Sequence, residues 1–358
     1  MKRLLLLGAT GSIGTTCLNA LRNNLAEDIV LAGITAKDSP SLIDRAREFD
    51  VPYLYLTGGE GGKLSEFIEK THPDIILNAI AGSDGLGATL ECIKHSIPIA
   101  LANKESVVMG GEFMLSQAKA FGTEIIPVDS EHSAIYHLLK AKRADRLIIT
   151  ASGGPFVDRM DLSSVTVEEA LHHPTWSMGK KITIDSATLA NKGLEVIEAS
   201  LLFDFPAEKI DVTIHRQSII HSAIETEEGA VYALLSTPDM TLPVLLALQG
   251  EGTGLKNVVK RLSFSTPLSL TFEGWDRERF PLLSLAYKTL EMGSYARIAY
   301  CQSDEIAVNA FLLGRIGFTE IASIVEETVM SMPASNVQSY EDIIRIKQIA
   351  KQKAEALC

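Results

Sequence analysis

The chain has 358 residues, enough for two or three domains that each bury a core of their own. Its formal net charge is −12 and its basic residues occur singly or in short clusters, so nucleic acid is not an expected partner. No apolar run approaches the length of a membrane span, and the N-terminus passes directly into a glycine-rich turn without the pattern of a secretion signal. The four cysteines lack paired or zinc-binding spacing, which favours a reducing compartment. We therefore expect a cytoplasmic protein, although a processed plastid protein would look similar.

The first third of the chain alternates short branched or leucine-rich runs with longer amphipathic segments. Continuous apolar strands separated by helices are typical of a parallel sheet covered on both faces. Residues 1–128 are therefore predicted to form a Rossmann-type, doubly wound α/β domain. The predicted strands are residues 3–7, 29–32, 75–78, 97–101 and 124–128, and helices are predicted at 13–23, 42–48, 86–95 and 112–121.

The pattern changes after residue 128. Polar loops interrupt strands predicted at 212–215, 219–224 and 231–235, which indicates an α+β catalytic domain over residues 129–250. Residues 251–280 have the composition of a linker. Residues 281–358 are helical in period, with breaks near Gly293, Gly314 and Met332, and predict a small C-terminal helical domain.

A glycine fingerprint, with Gly8, Gly11 and Gly14, directly follows the first predicted strand and opens a helix. This is the context in which such glycines bring the backbone and a helix N-terminus close to the pyrophosphate of a dinucleotide. A glycine-rich turn without a nucleotide is the alternative. At the end of the second strand, Lys37 favours the 2′-phosphate of NADP, whereas Asp38 would repel it, and Lys37 could also be an ordinary solvated lysine.

Two carboxylates, Asp129 and Glu131, follow the last strand of the first domain. In an extended segment alternate residues point the same way, so these two can face one point and offer the hard oxygen ligands that suit Mg²⁺ or Mn²⁺. The alternative is that Asp129 or Ser130 caps a helix over residues 133–139, with Glu131 in its first turn.

A second polar cluster spans residues 185–195. Its hydroxyl, amide and ammonium groups, on Ser186, Asn191 and Lys192, can donate several hydrogen bonds to one phosphate. Glu195 could complete a carboxylate triad with Asp129 and Glu131. The alternative is a capped helix start followed by solvated polar residues.

The loop at residues 172–179 contains a tryptophan and a methionine, which are residue types normally buried. A mobile lid that closes over a ligand would explain them, and a loop anchored in the core by Trp176 is the alternative. Ser152 offers a hydroxyl beside two glycines. His215 and His221 flank Ser218, and a single histidine in a strand is more often structural than catalytic.

These motifs occur in the order of one family. Residues 8–14, 101–106, 128–132, 152–156, 173–179, 185–195 and 214–222 together resemble the 1-deoxy-D-xylulose 5-phosphate reductoisomerases of the non-mevalonate isoprenoid pathway. The resemblance covers essentially the whole chain. The combination Asn-Lys-Glu-Ser, Val-Asp-Ser-Glu-His and Asn-Lys-Gly-Leu-Glu is far more specific than the glycine fingerprint alone.

The resemblance implies a role for each matching residue. The implied metal ligands are Asp129, Glu131 and Glu195, which with Lys104 are the implied catalytic residues. The implied substrate contacts are Lys104, Ser130, Glu131, Ser152, His173, Ser186, Asn191, Lys192, Glu195 and His221. The implied cofactor contacts are Thr10, Gly11, Ser12, Ile13, Ala36, Lys37, Asp38, Asn103, Glu105 and Gly179, and the implied lid residues are His173, Trp176 and Met178. Asp38 departs from the asparagine often found there.

The resemblance also implies the chemistry. A divalent metal would chelate the carbonyl and hydroxyl of a small phosphorylated ketose while its skeleton rearranges, and NADPH would reduce the resulting aldehyde to 2-C-methyl-D-erythritol 4-phosphate. A homodimer is expected on the same ground. Two rival hypotheses remain at this stage: an NADP-dependent dehydrogenase of another substrate, without a metal requirement, and a nucleotide-sensing protein without turnover.

Overall fold

A computed structural model of the chain describes residues 1–37, 39–56, 61–176, 178–250 and 255–358. The chain forms two units, each with its own sheet. The first unit comprises Met1–Ser106, Met114–His137 and Asp239–Ser263, and the second comprises Val107–Phe113, Leu138–Pro238 and Phe264–Cys358.

The sheet of the first unit is parallel throughout. Its strands are β1 (Lys2–Leu7), β2 (Ile29–Ala36), β3 (Tyr53–Tyr55), β4 (Ile75–Asn78), β5 (Ile99–Leu101) and β6 (Ile125–Pro127). They lie in the order β3-β2-β1-β4-β5-β6, so the direction of winding reverses between β1 and β4. Ligands of open α/β sheets bind at such a switch point, beyond the carboxyl ends of the strands. The predicted doubly wound fold is confirmed.

Helices connect these strands. They are α1 (Ser12–Arg22), α2 (Ser41–Phe49), α3 (Gly61–Thr71), α4 (Gly85–Lys94), which follows a 3₁₀ turn at Gly82–Asp84, α5 (Lys104–Phe121) and α6 (Ser130–Ala141). The apolar faces of α1 and α2 bury Leu18 and Leu42 against Leu4 and Leu6 of β1. Helix α5 is broken at Gly111, where φ is 46°.

The second unit combines a mixed sheet with helices. Its strands, β7 (Arg146–Ala151), β8 (Ile210–Ile214), β9 (Ile220–Glu225) and β10 (Val231–Leu235), lie in the order β10-β9-β7-β8, and only β7 and β8 run parallel. The helices of the remaining chain are α7 (Val167–Ala170), α8 (Lys180–Thr188), α9 (Ala190–Phe203), α10 (Thr241–Gln249), α11 (Pro281–Met292), α12 (Ser294–Leu312), α13 (Phe318–Met330) and α14 (Tyr340–Leu357), with a 3₁₀ turn at Ala207–Lys209.

The predicted domain boundaries at residues 128, 250 and 280 differ from these units. Helix α10 belongs to the first unit, where Val244 and Leu245 join the core around Leu4, and Lys2 Nζ donates to the carbonyl of Leu248 at 2.8 Å. The four C-terminal helices share a unit with the second sheet. These groupings depend on tertiary contacts, because an apolar helix does not reveal which sheet it will cover.

The helical character of the C-terminal segment is confirmed, with breaks at Gly293, between α12 and α13, and after α13. Among the described residues 255–280, the one bridge to a strand pairs Glu273 with Ile214. Within the described parts of the chain, no helix combines the length and apolar character needed to cross a membrane.

Candidate active site

The glycine-rich turn after β1 is shaped to approach a ligand closely. Gly8 has φ of 78°, and the N–H of Gly11 donates to the Gly8 carbonyl at 3.1 Å. A Cβ on Gly14 would lie 2.8 Å from Cα of Ala9, so only glycine allows α1 to pack this close to the turn. The first turn of α1 has no acidic residue, and no side chain caps it at Gly11. Free N–H groups and the helix dipole therefore favour an anion here.

Gly14→Ala is expected to raise the Kd for NADPH about tenfold, because overpacking of this kind costs about 1–3 kcal/mol and displaces the turn. A fluorescence titration with NADPH measures this. Gly62→Ala is the matched control, since a Cβ on Gly62 meets nothing within 4 Å. Equal affinity in the Gly14 variant and the wild type would place the pyrophosphate elsewhere.

The other predicted cofactor residues of the first unit lie around this turn or at neighbouring strand ends. Lys37, just after β2, pairs with Asp84 at 3.2 Å, and both side chains are exposed. Asp38 lies outside the described residues. One further residue was missed by the sequence: Arg45 of α2 donates to the Ala9 carbonyl and to Thr15 Oγ1, the latter at 3.1 Å, and so braces the turn. The sequence did not single it out, because the helix after β2 carries a second arginine, Arg47.

Asn103 begins α5 and its side chain is committed to the fold. Its Oδ1 accepts from Ser106 N at 3.0 Å, and its Nδ2 donates to the Gly82 carbonyl and to Glu105, each at 2.9 Å. The residue is 1% exposed. These bonds join the start of α5 to the 3₁₀ turn at Gly82–Asp84. The capped helix places Lys104 in the first turn.

The carboxylates of the first unit lie where β6 meets α6. Lys104, 6% exposed, forms an ion pair with Asp129, and His132 Nδ1 lies 3.9 Å from the same carboxylate. Ser130 donates to Glu131. The prediction that Asp129 and Glu131 share an extended segment is wrong, because Glu131 lies in the first turn of α6 and the Asp129 carbonyl accepts from Ser133 N. The start of α6 and the two carboxylates, Asp129 and Glu131, therefore occur at the same place in the chain.

Three predicted substrate residues meet in the second unit. His173 Nε2 lies 3.2 Å from Ser152 Oγ and 3.0 Å from Ser186 Oγ. Gly154 makes this close approach possible, because a Cβ at that position would lie 2.6 Å from the carbonyl oxygen of Ser186. The loop after β7 therefore packs directly on the end of α8.

The protonation of His173 follows from its contacts. Its Nδ1 accepts the backbone N–H groups of Thr175 at 3.1 Å and Trp176 at 2.9 Å, so the proton of the neutral ring is on Nε2. Burial lowers the pKa of the imidazole, which favours this neutral form. With His173 as donor, the hydroxyl hydrogens of Ser152 and Ser186 remain available to an anionic ligand.

The remaining polar residues lie at the junction of α8 and α9. Residues 185–188 form the last turn of α8, and Leu189, with φ of 56°, redirects the chain into α9, which these residues precede. On the first turns of α9, Asn191 and Lys192 both donate to Glu195. Lys192 is 4% and Glu195 1% exposed. The Lys192 ammonium group is therefore the counter-charge of the buried Glu195 carboxylate.

The loop residues Trp176 and Met178 are half-buried, and the Trp176 ring lies 6.4 Å from that of His221. His221 Nε2 is 2.9 Å from Ser236 Oγ. His215 is structural, since its Nδ1 binds the Thr271 carbonyl and its Nε2 accepts from Ile219 N. Gly179 precedes α8 and is exposed.

Sequence profiles of one family match most of the chain. A profile described as 1-deoxy-D-xylulose 5-phosphate reductoisomerase matches residues 52–111, one described as the C-terminal domain of that enzyme matches residues 125–203, and one described as the DXP reductoisomerase C-terminal domain matches residues 235–353.

Whole proteins and solved structures agree with the profiles. The chain is 44% identical to the 1-deoxy-D-xylulose 5-phosphate reductoisomerase of Caldanaerobacter subterraneus, over 97% of this chain and 96% of the relative, and 41% identical to that of Treponema denticola, over 99% and 97%. A crystal structure of DOX-P reductoisomerase with NADPH, fosmidomycin and magnesium is 34% identical with a TM-score of 0.88, covering 100% of this chain and 98% of that one. The Zymomonas mobilis enzyme in complex with NADPH is 35% identical with a TM-score of 0.88, covering 99% and 98%.

Proposed function

This chain belongs to the 1-deoxy-D-xylulose 5-phosphate reductoisomerase family, and from that membership we infer how its side chains share the reaction. The activity is the NADPH- and divalent-metal-dependent conversion of 1-deoxy-D-xylulose 5-phosphate to 2-C-methyl-D-erythritol 4-phosphate. The chain is thus an NADP-dependent oxidoreductase. The two rival hypotheses, a dehydrogenase of another substrate and a nucleotide sensor, are set aside. The residue roles that follow are proposals.

The turn after β1 is proposed to bind the pyrophosphate of NADPH through the backbone of Thr10, Gly11, Ser12 and Ile13. The uncapped N-terminus of α1 supports this. Lys37 is proposed to meet the 2′-phosphate, exchanging its exposed partner Asp84 for a doubly charged group. Ala36, Asp38, Asn103, Glu105 and Gly179 are the further proposed cofactor contacts.

Asp129, Glu131 and Glu195 are proposed to hold Mg²⁺ or Mn²⁺. The observation that carries this proposal is that a buried ammonium group pairs with each of two of these carboxylates, Lys104 with Asp129 and Lys192 with Glu195. Such pairing offsets the cost of burying these carboxylates, whose oxygens are the ligand type that hard cations prefer. Their assignment to one ion rests on the sequence motifs. When bound, the metal supplies a Lewis acid to the substrate oxygens, and NADPH supplies the hydride.

The substrate phosphate is proposed to bind Ser152, Ser186, Asn191 and Lys192. The neutral His173 leaves both serine hydroxyls able to donate to it. Lys104 and Ser130 are proposed to lie beside the carbon skeleton, where the Lys104 ammonium stabilises negative charge that develops on an oxygen. His173, Trp176 and Met178 are proposed to form a lid that excludes water, with His221 near the substrate.

The experiment that tests this function follows NADPH oxidation by absorbance with 1-deoxy-D-xylulose 5-phosphate. With Mg²⁺ or Mn²⁺ present we expect steady oxidation, which a chelator stops and excess metal restores. Oxidation that continues at the same rate under the chelator would overturn the metal assignment.

We also propose that the chain forms a homodimer and works in the cytoplasm, both on the ground of family resemblance. Its small phosphorylated substrate and its net charge of −12 speak against a nucleic acid partner.

A further inference from the structure

Lys181 occupies an unfavourable position in α8. It lies in the first turn, where the helix dipole repels a cation, and it precedes Asp185 by four residues, the weaker orientation for a helical ion pair. Electrostatic interactions within α8 therefore do not explain why a lysine occupies this position. A partner outside the helix explains it.

That partner is Asp304 of α12. Lys181 Nζ donates to Asp185 Oδ2 at 2.6 Å and to Asp304 Oδ2 at 2.7 Å. The side chains of Asp185 and Asp304 are 2% and 0% exposed, and that of Lys181 is 28% exposed. A buried carboxylate is costly unless it is paired, so Asp304 holds Lys181, and with it the start of α8, in one place.

The same face of α12 also contacts α9. Tyr300, one turn before Asp304, is fully buried and its hydroxyl donates to the Leu282 carbonyl at 3.2 Å. A Cβ on Gly193 of α9 would lie 2.5 Å from that hydroxyl, so α9 packs directly on it. Burial, with the charges of Asp304 and Asp185 adding to it, raises the pKa of Tyr300 well above its ordinary value, so the hydroxyl keeps its proton and remains a donor.

Helix α12 thus contacts both helices that contribute polar residues to the proposed phosphate site, α8 through Asp304 and α9 through Tyr300. Asp185 is adjacent to Ser186, and Lys181 follows Gly179 at the end of the lid loop. We propose that Asp304 is a positioning residue which, through Lys181, fixes α8 and so sets where Ser186 and the end of the lid meet the substrate phosphate. This inference rests on the proposed role of Ser186.

The test is Asp304→Asn in the full-length enzyme. Asn keeps an oxygen acceptor but loses the charge that holds Lys181. We expect KM for 1-deoxy-D-xylulose 5-phosphate to rise about tenfold, since a displacement of 1 Å can cost a hundredfold. The Kd for NADPH should not change. Asp211→Asn, which breaks the exposed pair with Arg146 in the same unit, is the control and should leave KM at its wild-type value.

A second readout follows the lid directly. The chain has two tryptophans, so Trp275→Phe leaves Trp176 as the reporter. In that background, substrate is titrated and the midpoint of the change in Trp176 fluorescence is measured. Asp304→Asn should move this midpoint to an about tenfold higher substrate concentration. Asp304→Glu, which keeps the charge but displaces the carboxylate, should shift KM in the same direction and serves if the Asn variant does not fold.

A folded Asp304 variant with a lower Tm and unchanged KM and fluorescence midpoint would overturn the inference. Failure of the underlying function is distinguishable, because the wild-type enzyme would then show no turnover, or Ser186→Ala would leave KM unchanged.

Discussion

Glu195→Gln is expected to lower kcat/KM by about a hundredfold or more, because it removes one charged ligand from the proposed metal site, where even supporting residues are worth 10- to 100-fold. The amide still accepts a hydrogen bond, so the geometry of α9 should persist. The Kd for NADPH should stay at its wild-type value, since the glycine-rich turn belongs to the other unit. Steady-state kinetics across a range of Mn²⁺ concentrations measure the effect.

The same substitution should also cost stability. Glu195 and Lys192 are both buried, and a neutral amide leaves the Lys192 ammonium without its counter-charge. We expect the free energy of unfolding to fall by about 1–3 kcal/mol. Glu208→Gln, at an exposed position in the same unit, is the control for both measurements. Wild-type activity in the Glu195 variant would remove Glu195 from the metal site.

Lys104→Met is the second change with a large expected effect. The ammonium group lies 6% exposed beside Asp129, where a charge acts in a low dielectric. Loss of a group that stabilises developing negative charge costs about 10² to 10³ in kcat. We expect a decrease of that size, with NADPH binding retained.

The control for Lys104 is on the same helix. Lys119→Met removes an exposed lysine near the end of α5 and should not alter kcat. If kcat of the Lys104 variant equalled that of the Lys119 variant, Lys104 would be limited to a structural role with Asp129.

The features that could be predicted from the sequence are those that depend on a local pattern of residues. The turn at residues 8–14 follows a buried strand and opens a helix, so glycine spacing and context define it together. The C-terminal helices have clear periodicity and clear breaks. The strand at Tyr53–Tyr55 was missed because three residues carry no period, and β2 was predicted too short because Gly33 interrupts its apolar run.

Features that depend on tertiary contacts were not predictable. The bend at Leu189 requires a left-handed backbone that leucine rarely adopts, so no sequence rule separates α8 from α9 there. Glu131 was predicted to lie in an extended segment after β6, with the first turn of a helix as the alternative. The alternative is the one that the structure shows. Arg45 is distant in sequence from its partner Ala9, and Asp304 is distant from its partner Lys181. Only the fold brings the members of each pair together.

The most direct test of the central claim is the identity of the product. With ¹³C-labelled 1-deoxy-D-xylulose 5-phosphate, NADPH and Mg²⁺, NMR should show the branched skeleton of 2-C-methyl-D-erythritol 4-phosphate, formed with one NADPH oxidised per substrate. A straight-chain reduced sugar phosphate would show reduction without rearrangement and would contradict the account.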